Sequence, residues 1–366
     1  MPSLILFLEL AAIAIIFAGL PLFYLWKKPG YSFFQKLNWV LVFMTFDLIV
    51  FGAFTRLTDS GLGCPDWPGC YGTSNPFHAL SDIRQAESAL PTGPVTVIKA
   101  WIEMIHRYLA MTVGTLILVQ LGLAFSKLKS LGKNPLLGSL GLLLLVCVQG
   151  AFGAWTVTLK LQPIIVTVHL MLALMLLACL TAYAQQSWES MASTVRTIRV
   201  RPLSAQLLTL SFVVLFIQVF LGAWVSTNYA VLACPDFPTC MGAAWPETNW
   251  AEGFTLWRQL GLNAQGEFIS PVALQTIHWA HRLFAVLVLL VLTTLFFVAR
   301  QLPQLKSLSK LLLGLLILQV ITGISNVVFQ WPLLAALMHT GGAAALVFCL
   351  VRMSYWASWK SPIQLR

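Results

Sequence analysis

The sequence predicts an all-α polytopic membrane protein. It reads as two tandem four-helix transmembrane bundles related by a pseudo-two-fold axis along the membrane normal, plus one extra N-terminal helix. Three observations predict this. Of 366 residues, 58% are hydrophobic and 9% charged, where a soluble domain carries roughly 25% charged residues. The apolar residues fall into nine runs, each near the roughly 20 residues a membrane helix requires. Much of the chain also repeats at an offset of 170 residues.

The nine runs cover residues 3–26, 37–57, 101–126, 134–157, 163–185, 205–227, 274–300, 309–329 and 332–356. They lack the alternating short segments of a β-barrel, so helices are expected. The first run has no basic start and no clear small-residue cleavage site. It reads as a retained helix rather than a cleaved signal. The net charge of +10 reflects membrane topology rather than a nucleic-acid partner, and no nucleic-acid module is visible. Fifteen of the 22 Lys and Arg residues fall in one set of connections: Lys27, Lys28, Lys36, Lys127, Lys129, Lys133, Arg196, Arg199, Arg201, Arg300, Lys306, Lys310, Arg352, Lys360 and Arg366. The positive-inside rule puts that set in the cytoplasm. Nine helices then put the N-terminus outside and the C-terminus inside.

The repeat is exact at several positions. Cys64 and Cys234, Cys70 and Cys240, Gln149 and Gln319, Gly153 and Gly323, and His169 and His339 each stand 170 residues apart; His106 and His281 stand 175 apart. Residues 37–185 and 205–366 therefore read as two copies of a four-helix unit, the second with its tail. Residues 1–36 form the extra helix and its link, and 186–204 a basic cytoplasmic linker. Each copy has an even number of helices, so both share one orientation, the parallel-repeat case. Gln149 and Gly153 also suit plain helix packing.

Five of the six histidines lie in apolar runs: His106, His169, His278, His281 and His339. Polar residues inside a bilayer are costly and mark function. His106, His169, His281 and His339 each follow the outer end of a run by five to seven residues, on the order of 8–10 Å down a helix. Each half thus offers two imidazoles at matching depth, able to hold a planar cofactor between helices. Two histidines do not complete a zinc site, whereas haem iron needs only axial ligands. Arg107 and Arg282 directly follow His106 and His281. They suit haem propionates and equally suit snorkelling to the interface.

The halves differ in the residue three before the first histidine. Glu103 precedes His106 by three residues and shares its helix face; His278 takes that place in the second half. Glu103 is an acid–base candidate or the partner of a nearby cation. His278 could compete with His281 for iron, but the repeat favours His281 and leaves His278 beside the ligand.

Paired outer C-x5-C loops, the "EMIHR" motif at residues 103–107 and the later membrane histidines make residues 37–356 resemble haem A synthase, a cytochrome oxidase assembly enzyme. The resemblance implies oxidation of the C8 methyl of haem O to a formyl group by successive O2-dependent hydroxylations and loss of water. It implies His106 and His169 at the substrate haem, with Glu103 as the catalytic carboxylate. His281 and His339 would ligate a haem b that relays electrons. The partners implied are the bilayer, haem O delivered by a haem O synthase, an electron donor of unassigned identity, and a homo-oligomer as an open option. The location implied is the bacterial inner membrane. The extra helix with Glu9, and Asp47 in the second run, lie outside the family pattern.

Two other classes compete. A two-haem electron carrier would use the same histidines without Glu103 or the cysteine loops. A transporter with histidine proton relays would not match the histidines in pairs at one depth. No glycine motif for a nicotinamide or flavin follows a strand. The outward, periplasmic side permits disulfides, so Cys64–Cys70 and Cys234–Cys240 are expected to be bridged. A shared four-cysteine zinc site is the alternative, with poor spacing. Cys147, Cys179 and Cys349 sit in apolar helices as small hydrophobes.

Overall fold

A computed structural model describes residues 4–27, 32–131, 133–189 and 202–356. Most of the basic linker, at 190–201, and the tail from 357 lie outside the described residues. The chain divides into two compact units, Met1–Ser187 and Trp188–Arg366.

The first unit holds α1 (Leu4–Lys27), α2 (Phe33–Leu57), α3 (Leu80–Ala89), α4 (Val97–Ser126), the single turn α5 (Leu128–Leu131), α6 (Lys133–Thr158) and α7 (Pro163–Glu189). The second holds α8 (Pro202–Thr227), the short α9 (Trp250–Gly253), α10 (Pro271–Ala299), α11 (Lys306–Val328) and α12 (Leu333–Trp356). Among the described residues, nine of these helices are long and apolar enough to cross a membrane. The chain is a multi-pass, all-α membrane protein.

Several helices begin earlier than the apolar runs, and their caps explain why. Ser32 and Gln35 form a reciprocal capping box at the start of α2. Thr96 accepts the Lys99 amide at α4, and Ser270 accepts the Ala273 amide at α10, with Pro271 in the first turn. Each cap satisfies amides that would otherwise lack partners. The caps also lengthen the stretch between some helix starts and their histidine. His106 lies nine residues past Val97 and His281 ten past Pro271, whereas His169 and His339 lie six past Pro163 and Leu333. The histidines therefore match between halves, but the two within each half do not stand equally far from their helix starts.

The sequence repeat extends to the backbone. The non-glycine residues with positive φ pair at the same 170-residue offset: Asp59 with Tyr229, Tyr71 with Met241, Lys160 with Gln330, and Leu161 with Trp331. Bulky residues rarely adopt this region. In the turns from α6 to α7 and from α11 to α12, Leu161 N donates to Thr156 O at 2.8 Å and Trp331 N to Asn326 O at 2.8 Å. These are six-to-one bonds that close a helix end and reverse the chain in a few residues.

Without a hydrophobic drive between helices in lipid, polar contacts and close packing hold a bundle. In the first unit, Gln120 Nε2 donates to Asn38 Oδ1 (2.7 Å) and Asn38 Nδ2 to Ser187 Oγ (2.9 Å). These bonds tie α2, α4 and α7. Ser139 and Tyr183 hydroxyls meet at 2.9 Å between α6 and α7. The extra helix α1 buries Leu6, Leu10, Ala14 and Ala18, a four-residue stripe. Phe17 stacks on Tyr108 of α4 with ring centres 6.2 Å apart. Glu9 and Asp47 are exposed on α1 and α2, away from the packed interior.

Candidate functional site

The first cysteine loop folds down onto α4. Cys64 and Cys70 are disulfide-bonded, with Cα atoms 5.0 Å apart, within the ordinary bridging range. Inside the loop, Cys70 and Thr73 exchange backbone bonds of 2.9 and 3.0 Å. The Asp66 carboxylate accepts the amides of Tyr71 (2.6 Å) and Gly72 (2.7 Å). Gly63 lets the chain touch the helix: a Cβ there would lie 2.5 Å from the Lys99 carbonyl. The disulfide shares a buried apolar cluster with Leu6 and Leu10 of α1, Ile83 of α3, and Met104 and Tyr108 of α4.

Arg107 is the anchor. Its Nη1 donates to the carbonyls of Asp66 (2.9 Å), Pro68 (3.2 Å) and Gly69 (2.5 Å). Its Nη2 forms an ion pair with Glu103 Oε1. Glu103 Oε2 accepts the Cys64 amide at 2.8 Å. Glu103 is 3% exposed and Arg107 8% exposed, so each charge depends on the other. Of the two sequence readings of Glu103, the cation partner is present, one helical turn away. Arg107 Nη1 faces loop carbonyls rather than the bundle interior's histidines.

The second unit repeats the disulfide and the arginine anchor of this frame, with an imidazole in place of the carboxylate. Cys234 and Cys240 are disulfide-bonded. Arg282 donates from Nη1 to the carbonyls of Asp236 and Thr239, both at 2.8 Å, and from Nη2 to Cys234 O at 2.7 Å. Its Nε donates to His278 Nε2 at 3.2 Å. Where the first unit has a carboxylate, the second has an imidazole that is 4% exposed. The Nε2 lone pair of His278 is engaged by Arg282. The loop carboxylate Asp236 is half-buried and held down to about 2 by the Thr239 hydroxyl and the Gly242 and Met241 amides.

The four repeat-related histidines are half-buried, unlike His278. His281 and His339 face each other with ring centres 6.4 Å apart and planes at 82°. A metal–imidazole nitrogen bond is about 2.0 Å, and the ring centre lies roughly 1.1 Å beyond, so two axial imidazoles on one ion stand about 6 Å apart. The pair fits a haem iron. Thr322 Oγ1 donates to Leu318 O (2.7 Å) and lies 3.0 Å from His339 Nδ1, so in the tautomer with Nδ1 protonated it accepts that proton. That leaves Nε2 as the free lone pair, the tautomer a metal ligand needs. Gln218 Nε2 lies 3.1 Å from His281 Nδ1. In the first unit, His106 stacks on Phe51 with ring centres 6.4 Å apart. No cluster of three or more His, Cys, Asp or Glu side chains suited to a bare metal ion occurs among the described residues.

Sequence reasoning did not find Thr322 or Gln218, whose partners emerge only when helices pair. It also did not find the buried Arg258, which bonds Asn228 Oδ1 and Leu262 O (3.0 Å) in the second outer loop. Arg258 is 4% exposed.

A family profile described as cytochrome oxidase assembly protein (COX15-CtaA) matches residues 35–351. A heme A synthase of Shewanella oneidensis is 41% identical over 337 residues, covering 89% of this chain and 98% of that protein. A heme A synthase of Caulobacter vibrioides is 28% identical over 84% of this chain and 91% of its own length. One from Paracoccus denitrificans is 29% identical over 89% of this chain and 88% of its own.

Proposed function

Because the chain belongs to the COX15-CtaA family of cytochrome oxidase assembly proteins, we propose that it is a haem A synthase, an oxidoreductase that converts haem O to haem A in the membrane. The first unit takes the substrate between His106 and His169. The second holds a resident haem b between His281 and His339. The observation that supports this division is an asymmetry in the repeated frame: Glu103 under the first loop, His278 under the second.

The resident haem supplies one-electron transfer. The reaction takes the C8 methyl through successive hydroxylations, each using one O2, two electrons and two protons and releasing one water; loss of a further water leaves the formyl group. Protons must therefore reach the first unit. Glu103 is the nearest ionisable carboxylate to His106 on α4, and the Cys64 amide and Arg107 fix its two oxygens. Arg107 compensates its charge, and the loop covers it. His106 and His169, both half-buried, would hold the substrate iron. Haem O arrives from a haem O synthase in the same bilayer. The cysteine loops lie on the periplasmic side of the bacterial inner membrane, the side that permits their disulfides.

Extraction of haem from the purified protein tests this reading. Haem b together with haem O or A is the expected result. Haem b alone, filling both units, would identify a two-haem electron carrier instead.

A further inference from the structure

The four membrane histidines share a kind of neighbour. Each imidazole lies against a glycine on an adjacent helix: His106 against Gly52 of α2, His169 against Gly153 of α6, His281 against Gly222 of α8, and His339 against Gly323 of α11. A Cβ at these glycines would lie 3.0 Å from His106 Nε2, 3.1 Å from His169 Cε1, 2.8 Å from His281 Cε1 and 3.3 Å from His339 Cε1. At Gly114, Gly122, Gly141, Gly150 and Gly314, in the same helices or their neighbours, a Cβ would meet nothing within 4 Å. Gly52 and Gly222 stand 170 residues apart, as do Gly153 and Gly323.

Small residues in membrane helices ordinarily let backbones approach. Here the missing side chain makes room for an imidazole four times over. A ring seated on bare backbone is closed off on that side. Its remaining freedom is toward the interior of its bundle, and ligand geometry tolerates only about 0.5 Å or 10–20° of error. We propose that Gly52, Gly153, Gly222 and Gly323 are positioning residues that set the seat of each axial histidine. The proposal rests on the reading of those histidines as haem ligands. The distances rank the sites. Gly222 leaves no room for a methyl group, Gly52 and Gly153 leave little, and Gly323 is the most tolerant.

The test uses the full-length protein, co-expressed with a haem O source and purified in detergent. The readouts are haem b per polypeptide, the electron paramagnetic resonance signal of the ferric haem, and its midpoint potential. Gly222→Ala is expected to lower haem b retention about tenfold or more, the usual effect of disturbing a ligand's support, and to shift the signal. Gly323→Ala is expected to shift the signal with a smaller loss. Gly52→Ala and Gly153→Ala should leave the haem b signal intact and weaken haem O binding in an optical titration. The controls Gly150→Ala and Gly314→Ala should match the parent, since alanine is the better helix former. An unchanged haem b content and signal in Gly222→Ala would overturn the proposal, as would equal changes in the controls.

If Gly222→Ala does not accumulate, the double variant with His281→Ala decides. Recovery supports the clash, and failure of both assigns Gly222 to helix packing. His281→Ala alone separates the two layers of argument. Retention of haem b there sinks the ligand reading itself; loss of haem b there with an unchanged Gly222→Ala sinks only the glycine proposal.

Discussion

Replacing Arg107 with Met removes the anchor of the first cysteine loop while keeping most of the side-chain volume. It strands Glu103 in a site 3% exposed and leaves three loop carbonyls without their donor. Breaking a buried ion pair costs about 3–5 kcal/mol. At about 1.4 kcal/mol per tenfold change, local opening of the loop should become roughly 100- to several-thousand-fold more frequent. The assay is the rate at which a mild dithiol reductant opens Cys64–Cys70, read by thiol labelling and peptide mapping. Cys234–Cys240 is the internal control, because its own anchor, Arg282, is untouched. The double variant Arg107→Met with Glu103→Gln should recover part of the loss, since the stranded charge is gone. Equal and unchanged reduction rates at both disulfides in Arg107→Met would refute the anchoring argument.

Further outcomes follow from the same geometry. Leu6→Ala should speed reduction of Cys64–Cys70 and leave Cys234–Cys240 alone, since only the first disulfide shares a cluster with Leu6 and Leu10. The second loop should loosen in acid: the folded Asp236 carboxyl sits below its ordinary value of 3.8. Its contribution is therefore complete above that value and disappears as pH falls through about 2, which the rate of Cys234–Cys240 reduction by a phosphine, a reductant that needs no thiolate, would register. Glu252, drawn down chiefly by the Ser270 hydroxyl and then by its amide, adds in the same direction. Thr322→Val removes the acceptor at His339 Nδ1 and should raise the haem b midpoint by a few tens of mV, the equivalent of about 1 kcal/mol for one hydrogen bond. A potentiometric titration that found no shift would remove Thr322 from that role.

The membrane helices are legible in the sequence because the bilayer demands long apolar runs. Their starts are less so. Ser32, Thr96 and Ser270 lie outside the apolar runs, and only their side-chain bonds extend α2, α4 and α10 outward. The helix α3 is hidden in a polar loop and is short, with Ile83 its buried residue. The Glu103–Arg107 pair was within reach of i,i+4 reasoning, but the loop carbonyls on Arg107 depend on how residues 63–73 fold onto α4. Gly52 and Gly222 sit at the repeat offset, yet their contact with a histidine exists only once α2 lies beside α4 and α8 beside α10. Helix faces in lipid carry little polar contrast, so the sequence marks which residues are unusual more clearly than what they touch.

The central claim is that the first unit oxidises haem O with the help of Glu103, while the second holds haem b independently. The most direct measurement co-expresses the protein with a haem O source and scores extracted haems by chromatography and spectrum. The parent should yield haem A and haem b. Glu103→Ala should keep haem b and lose haem A, with haem O accumulating. Normal haem A output from Glu103→Ala would contradict the account.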